Sequence, residues 1–154
     1  MTEVEVADQA WSAALPAAAE LADQAALATL ARVNPAKAGE IAILLTDDAA
    51  LRNLNSRFLG KDKPTNVLSF PAGDGMAGHL GDIALAFGVC AAEAAEQGKP
   101  LAHHLQHLVA HGVLHLIGYD HISDADAEVM EDLERRVLAG LGIPDPYSTD
   151  DAPR

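Results

Sequence analysis

At 154 residues the chain fits one compact domain, and with 49% hydrophobic but only 4% aromatic residues its core must be built from Leu, Val, Ile and Ala. A formal net charge of −13 argues against generic, charge-driven binding to nucleic acid, and the single cysteine, Cys90, excludes an internal disulfide and a cysteine zinc cluster. The amino terminus carries Glu3, Glu5 and Asp8 in place of the positive start and apolar run of a secretory signal, and no uncharged apolar stretch nears the roughly 20 residues of a membrane span, so a soluble, cytoplasmic protein is expected.

Val4 and Val6 alternate with glutamates, a short strand signal. The Ala-rich stretch that follows predicts a helix from about Pro16 to Arg32, ending before Asn34-Pro35. Glu40 to Thr46 reads as a strand, and Asp47 or Asp48 as the cap of a helix over about Ala49 to Phe58. A polar loop from Gly60 to Thr65 follows, then a short β run over Val67 to Phe70, stopped by Pro71. The Gly-rich segment 72–81 predicts a turn or loop containing His79, and Asp82 to Phe87 a further strand. Val89 to Gln97 reads as a helix stopped by Gly98, and a long apolar helix runs from Pro100 to about Ile117. A last helix starts near Ser123, with Asp126 three residues on, and ends near Gly140. The tail from about Asp145 is expected to be flexible. The pattern predicts an α+β fold, a small mixed sheet packed with helices around a central histidine-bearing helix, in a single domain over 1–154.

Six of the seven histidines fall between residues 103 and 121. His111 and His115 are one helical turn apart, so their rings project from the same side. Gly118 can take positive φ and end the helix, which lets the chain turn back and bring His121 to the same point. Three imidazoles suit a zinc-type ion and leave a fourth position for water, the pattern of a catalytic site. The spacing matches that of the extended metzincin proteases, but Gly112 stands where those enzymes place their catalytic Glu. Asp120 either orients a ligand imidazole or caps the next helix. His104 and His107 are expected in supporting roles, His103 on another face, and His79 in solvent. Cys90 is expected as a buried small hydrophobe. Arg52, Arg57, Lys61 and Lys63 place four of the ten basic residues within one stretch of twelve.

The run from His111 to His121, His-Gly-Val-Leu-His-Leu-Ile-Gly-Tyr-Asp-His, resembles the signature of the YbeY family of bacterial ribosomal RNA maturation factors. Three further stretches are similar to that family: Lys61 to Pro71, Leu80 to Ile83, and Met130-Glu131 through Gly142-Ile143-Pro144-Asp145-Pro146-Tyr147. The resemblance runs from about Glu40 to Tyr147. It implies a zinc-dependent endoribonuclease selective for single-stranded RNA, with one Zn²⁺ per chain on His111, His115 and His121. It also implies a role in 16S ribosomal RNA 3′-end maturation and ribosome quality control, with the small ribosomal subunit and assembly factors as partners. Leu59 departs from the pattern, because it stands where the family carries an Arg thought to contact RNA; Arg57, Lys61 and Lys63 are the candidate substitutes.

Hydrolysis at such an ion would use water whose pKa is drawn toward ~7. Asp120, Asp82 and His107 are candidate proton carriers; Ser69 and Thr65 are candidate groove residues, although a strand and turn role is the expected one for both. Two rival functions remain, a metalloprotease-like hydrolase and a non-catalytic zinc-binding ribosome assembly factor.

Overall fold

The structure, a computed structural model, describes residues 2–33, 40–72, 79–119 and 123–147. The elements run β1 (Thr2–Val6), α1 (Gln9–Ala14), α2 (Ala18–Val33), β2 (Glu40–Thr46), α3 (Asp48–Leu59), β3 (Val67–Pro71), β4 (His79–Ala86), α4 (Phe87–Glu96), α5 (Leu101–Leu116) and α6 (Asp124–Gly140). The four strands form one sheet in the order β1-β2-β4-β3; β1, β2 and β4 are parallel and β3 pairs antiparallel to β4. The fold is α+β, a mixed sheet with helices packed on it, as composition and patterning predict.

Period-two alternation sorts the strand side chains onto two faces. Ile41, Ile43 and Leu45 of β2 and Ile83 and Leu85 of β4 point into the main core, which α2 and α5 complete through Ala22, Ala25, Leu105 and Val109. Ala84 and Ala86 of β4 and Leu68 of β3 face the other way and pack with Leu51 of α3. Small Ala side chains on α2 let it lie close to the sheet and to α5. Gln106 of α5 then donates to Leu21 O at 2.9 Å and ties the two helices.

Three local features differ from the sequence-based expectations. Residues 9–14 form an additional helix, α1, capped by Asp8, whose carboxylate accepts from Ala10 N at 3.0 Å. Its Trp11 is fully buried, stacks edge-on against Phe87 at 5.3 Å, and donates its indole N–H to Thr46 O at 3.0 Å. His79 is not in a loop but opens β4, half-buried and 3.2 Å from Asp82. Between Glu40 and Ile41 the β2–β4 register shifts, leaving Leu80 as an extra residue before Gly81, which has φ +150°. A Cβ on Gly81 would lie 2.5 Å from Phe70 O, so only glycine fits this bulge. Residues 34–39 and 73–78, which include most of the Gly-rich segment, lie outside the described residues.

The stretch expected to be flexible from about Asp145 is fastened as far as Tyr147. Asp145 accepts from Arg135 Nε at 3.1 Å and from Tyr147 N at 2.8 Å. Residues 148–154 lie outside the described residues. Among the described residues no helix is long and apolar enough to cross a membrane.

Candidate metal centre and its cleft

Helix α5 carries the histidines. Its apolar positions are buried against the sheet and α2, which leaves a strip of imidazoles along one side. His111 and His115, one turn apart, bring their Nε2 atoms to 3.1 Å, with ring centroids 4.7 Å apart and ring planes at 78°. Two nitrogens bound at about 2.05 Å on a tetrahedral ion are about 3.3 Å apart, so this pair suits one ion. The helix stops at Leu116, and Gly118 takes φ +104°, the reversal expected from the sequence. His121 and Asp120 lie outside the described residues, and among those described no set of three His, Cys, Asp or Glu side chains is arranged to hold a metal.

The pair opens into a cleft of about 460 Å³ between α5 and β3, walled by Leu59, Asn66, Ser69, Pro71 and Tyr119. Helix α5 packs closely on the sheet at Gly112. A Cβ there would lie 3.0 Å from Ile83 Cδ1 and 3.1 Å from Ser69 Oγ, and Ser69 Oγ donates to Gly112 O at 3.4 Å. Any side chain at position 112 would crowd Ile83 and Ser69. Ser69 has the expected strand role, in β3, and also lines the cleft, as does Asn66, next to Thr65.

On the far side of His111 sits Glu134 of α6, fully buried. Its Oε2 is 2.9 Å from His111 Nδ1, and its Oε1 is 2.6 Å from His107 Nε2 and 2.5 Å from the Tyr147 hydroxyl. Burial is the largest influence on this carboxyl and opposes its ionisation. The hydrogen bonds from His107, His111 and Tyr147 outweigh it and hold the pKa down at about 2. Burial, and then the bond to Glu134, push the Tyr147 hydroxyl far above its usual range, so it stays a donor. Sequence reasoning assigned no role to Glu134 or Tyr147. A signal existed for Glu134: the buried stripe of α6 is Met130, Glu134, Val137 and Leu138, and a carboxylate in such a stripe is unusual.

The other candidates fall into distinct places. His107 does not join the His111–His115 pair, because its Nε2 is held by Glu134 and it lines a separate cleft with Lys99, His103 and Pro144. His104 is buried, 2.8 Å from Glu93, and has a structural role. Asp82 shares the α3-facing side of β4 with Ala84 and pairs with His79, so it is not placed to serve His111. Cys90 is fully buried, and burial, then the charges of Glu93 and Asp48, push its thiol up to about 12. The basic stretch is an ordered appendage of α3. Arg52 is bidentate with Asp62 at 2.8 and 3.1 Å, and Asn55 Nδ2 donates to Lys63 O at 3.0 Å. Arg57 lies over its neighbour Phe58 at 5.5 Å. Arg57, Lys61 and Lys63 are exposed, while Leu59 alone of this stretch lines the cleft among the described residues.

The chain is similar to known proteins in both sequence and fold. The family model described as endoribonuclease YbeY matches residues 4–142. An endoribonuclease YbeY of Bradyrhizobium sp. is 54% identical, over 96% of this chain and 92% of the relative. One of Rhodopseudomonas palustris is 51% identical, over 97% of this chain and 82% of the relative. In fold, the chain is similar to the solution structure of TM1509 from Thermotoga maritima, with a TM-score of 0.59 at 23% identity, covering 99% of this chain and all of that one. With the family model matching residues 4–142 and relatives about half identical over nearly the whole chain, this chain belongs to the endoribonuclease YbeY family.

Proposed function

We propose that this protein is a zinc-dependent endoribonuclease that cleaves single-stranded RNA, acting in the cytoplasm on the 3′ end of 16S ribosomal RNA and in ribosome quality control. Its relatives are named endoribonucleases, which supports a phosphodiester substrate. The observation that carries the metal is the approach of His111 Nε2 to His115 Nε2 at 3.1 Å beside an open cleft. His111 and His115 would hold the ion, with His121 as the third ligand on the strength of its spacing after Gly118. A bound zinc ion supplies Lewis acidity toward water and the phosphoryl group.

The chain's own groups do the rest. Ser69 offers a hydroxyl along the cleft wall, Asn66 lines it with its amide held by Glu93 and Val67 N, and Tyr119 and Leu59 give it an apolar side. Arg57, Lys61 and Lys63 are exposed on α3 and the loop after it, where they are proposed to meet the RNA backbone before it enters the cleft. Asp120 is the proposed proton carrier, because position 112 carries no carboxylate, Asp82 is on the other face of the sheet, and Glu134 is engaged by His107, His111 and Tyr147 on the far side of the His111 ring. A net charge of −13 weakens affinity for free RNA, which favours delivery of the substrate by the small ribosomal subunit and its assembly factors. The crowding at Gly112 counts against a metalloprotease, whose general base would sit there.

The test joins elemental analysis of purified protein to cleavage of single- and double-stranded RNA. About one zinc per chain is expected, with cleavage of single strands that chelation abolishes and zinc restores. His115→Ala should lose at least about 100-fold in rate. Equal cleavage by metal-free protein, or by His115→Ala, would overturn the proposal. Bound zinc without turnover would identify a non-catalytic assembly factor instead.

A further inference from the structure

Glu134 is a fully buried carboxylate with three hydrogen-bond partners, His107, His111 and Tyr147. None of the three is a permanent cation. A buried charge without one is costly, and an apolar residue would pack α6 against α5 more simply. What the carboxylate gains is control over a ring. It accepts only, so the His111 nitrogen facing it must carry the hydrogen. With Nδ1–H donated to Glu134, the basic nitrogen of neutral His111 is Nε2, the atom 3.1 Å from His115 Nε2.

The carboxylate is itself set by the C-terminal segment, residues 143–147. Pro144 and Pro146 restrict its backbone. Asp145 is held by Arg135, and the Tyr147 ring packs edge-on against His107 at 5.3 Å, with the Arg135 guanidinium 5.4 Å from it. This delivers the Tyr147 hydroxyl to Glu134 Oε1, which His107 Nε2 also reaches. With Oε1 occupied by two donors, Oε2 is left to His111. The segment therefore lies on the same bond network as the cleft, although it is on the opposite side of the His111 ring.

We propose that Glu134 and Tyr147 are positioning residues for the metal centre: docking of residues 143–147 onto α5 and α6 completes a carboxylate that holds His111 as the Nδ1–H tautomer and turns its Nε2 toward the ion. This rests on the zinc reading for its purpose but not for its geometry, and the two can fail separately.

The experiment uses the full chain as wild type, Tyr147→Phe and Glu134→Gln. Long-range ¹H–¹⁵N spectra of the ion-free proteins report the His111 tautomer, and competition with a chromophoric chelator reports zinc affinity. Wild type should show the Nδ1–H form. Tyr147→Phe removes one hydroxyl, keeps the ring packing, and should weaken zinc binding about threefold or more. Glu134→Gln presents an amide that can donate to Nδ1; it should populate the Nε2–H form and weaken zinc binding about 10- to 100-fold. An Nε2–H His111 in ion-free wild type, or both variants within about twofold of its zinc affinity, would overturn the proposal. Should Glu134→Gln fail to fold, the wild-type tautomer and the zinc affinity of Tyr147→Phe decide. If wild type shows the Nδ1–H form, Glu134→Gln loses it and none of the proteins binds zinc, the positioning role stands and the zinc reading falls.

Discussion

At the scale of the residue, Gly112 shows how packing limits chemistry. The histidine spacing on α5 is shared with metalloproteases, yet at Gly112 the helix lies so close to Ile83 and Ser69 that a β-carbon would already be crowded. Gly112→Glu should therefore not install a general base. It would force a carboxylate into a packed interface and cost about 3 kcal/mol or more. The checks are a lowered denaturant midpoint and no peptidase turnover in the variant; a stable variant with peptidase activity would refute this account. Glu134 is the complementary case, a carboxylate the fold does accept, because three donors meet it.

At the scale of the element, α1 fastens the start of the chain to the sheet. It is one and a half turns long and has no stability of its own in water, so tertiary contacts must hold it. Those contacts are the burial of Trp11 and its indole bond to Thr46 O at 3.0 Å, at the end of β2. Trp11→Phe keeps an aromatic ring but leaves that carbonyl without its donor in the interior. A loss of about 2 kcal/mol is expected, read as a shift of the urea midpoint at constant slope. The α3 appendage is held more superficially. The Arg52–Asp62 pair is exposed and contributes little to stability, so the loop bearing Lys61 and Lys63 depends on the Asn55 side-chain bond to Lys63 O and the backbone bond from Lys61 N to Asn55 O.

At the scale of the molecule, folding is coupled to pH through His104. Burial is the main influence on its imidazole and lowers its pKa below the ordinary 6.5, against the hydrogen bond with Glu93, which raises it. The unfolded chain then binds more protons than the folded one as pH falls below 6.5. The stability that neutral His104 contributes is complete above that value and is lost progressively beneath it. Urea midpoints measured from about pH 7.5 to about pH 5.5 should fall, and His104→Gln, which cannot titrate, should show a shallower decline. An identical decline in both proteins would exclude His104 as the source. The 143–147 segment is a second whole-molecule feature, since it links the end of the chain to the ring of His111 through Tyr147 and Glu134.

Much of this was legible from residue order alone. Strands β2, β3 and β4, the long helix α5, the Ser123 cap and the Gly118 reversal are written in local periodicity, capping chemistry and glycine placement, which need no knowledge of distant residues. The one-turn spacing of His111 and His115 likewise follows from helix geometry. The short α1, the bulge at Leu80, the demotion of Asp82 and His107 from the cleft, and the roles of Glu134 and Tyr147 could not be read in this way. Each depends on which face a side chain turns to and on what another element brings to meet it: Glu134 lies 23 residues beyond His111, and Tyr147 another 13. Sequence alone thus determined that the imidazoles of His111 and His115 project from one side of a helix. Only the packing of α6 and the C-terminal segment onto α5 decided which nitrogen of His111 faces the cleft, because a tautomer is chosen by the partner across space.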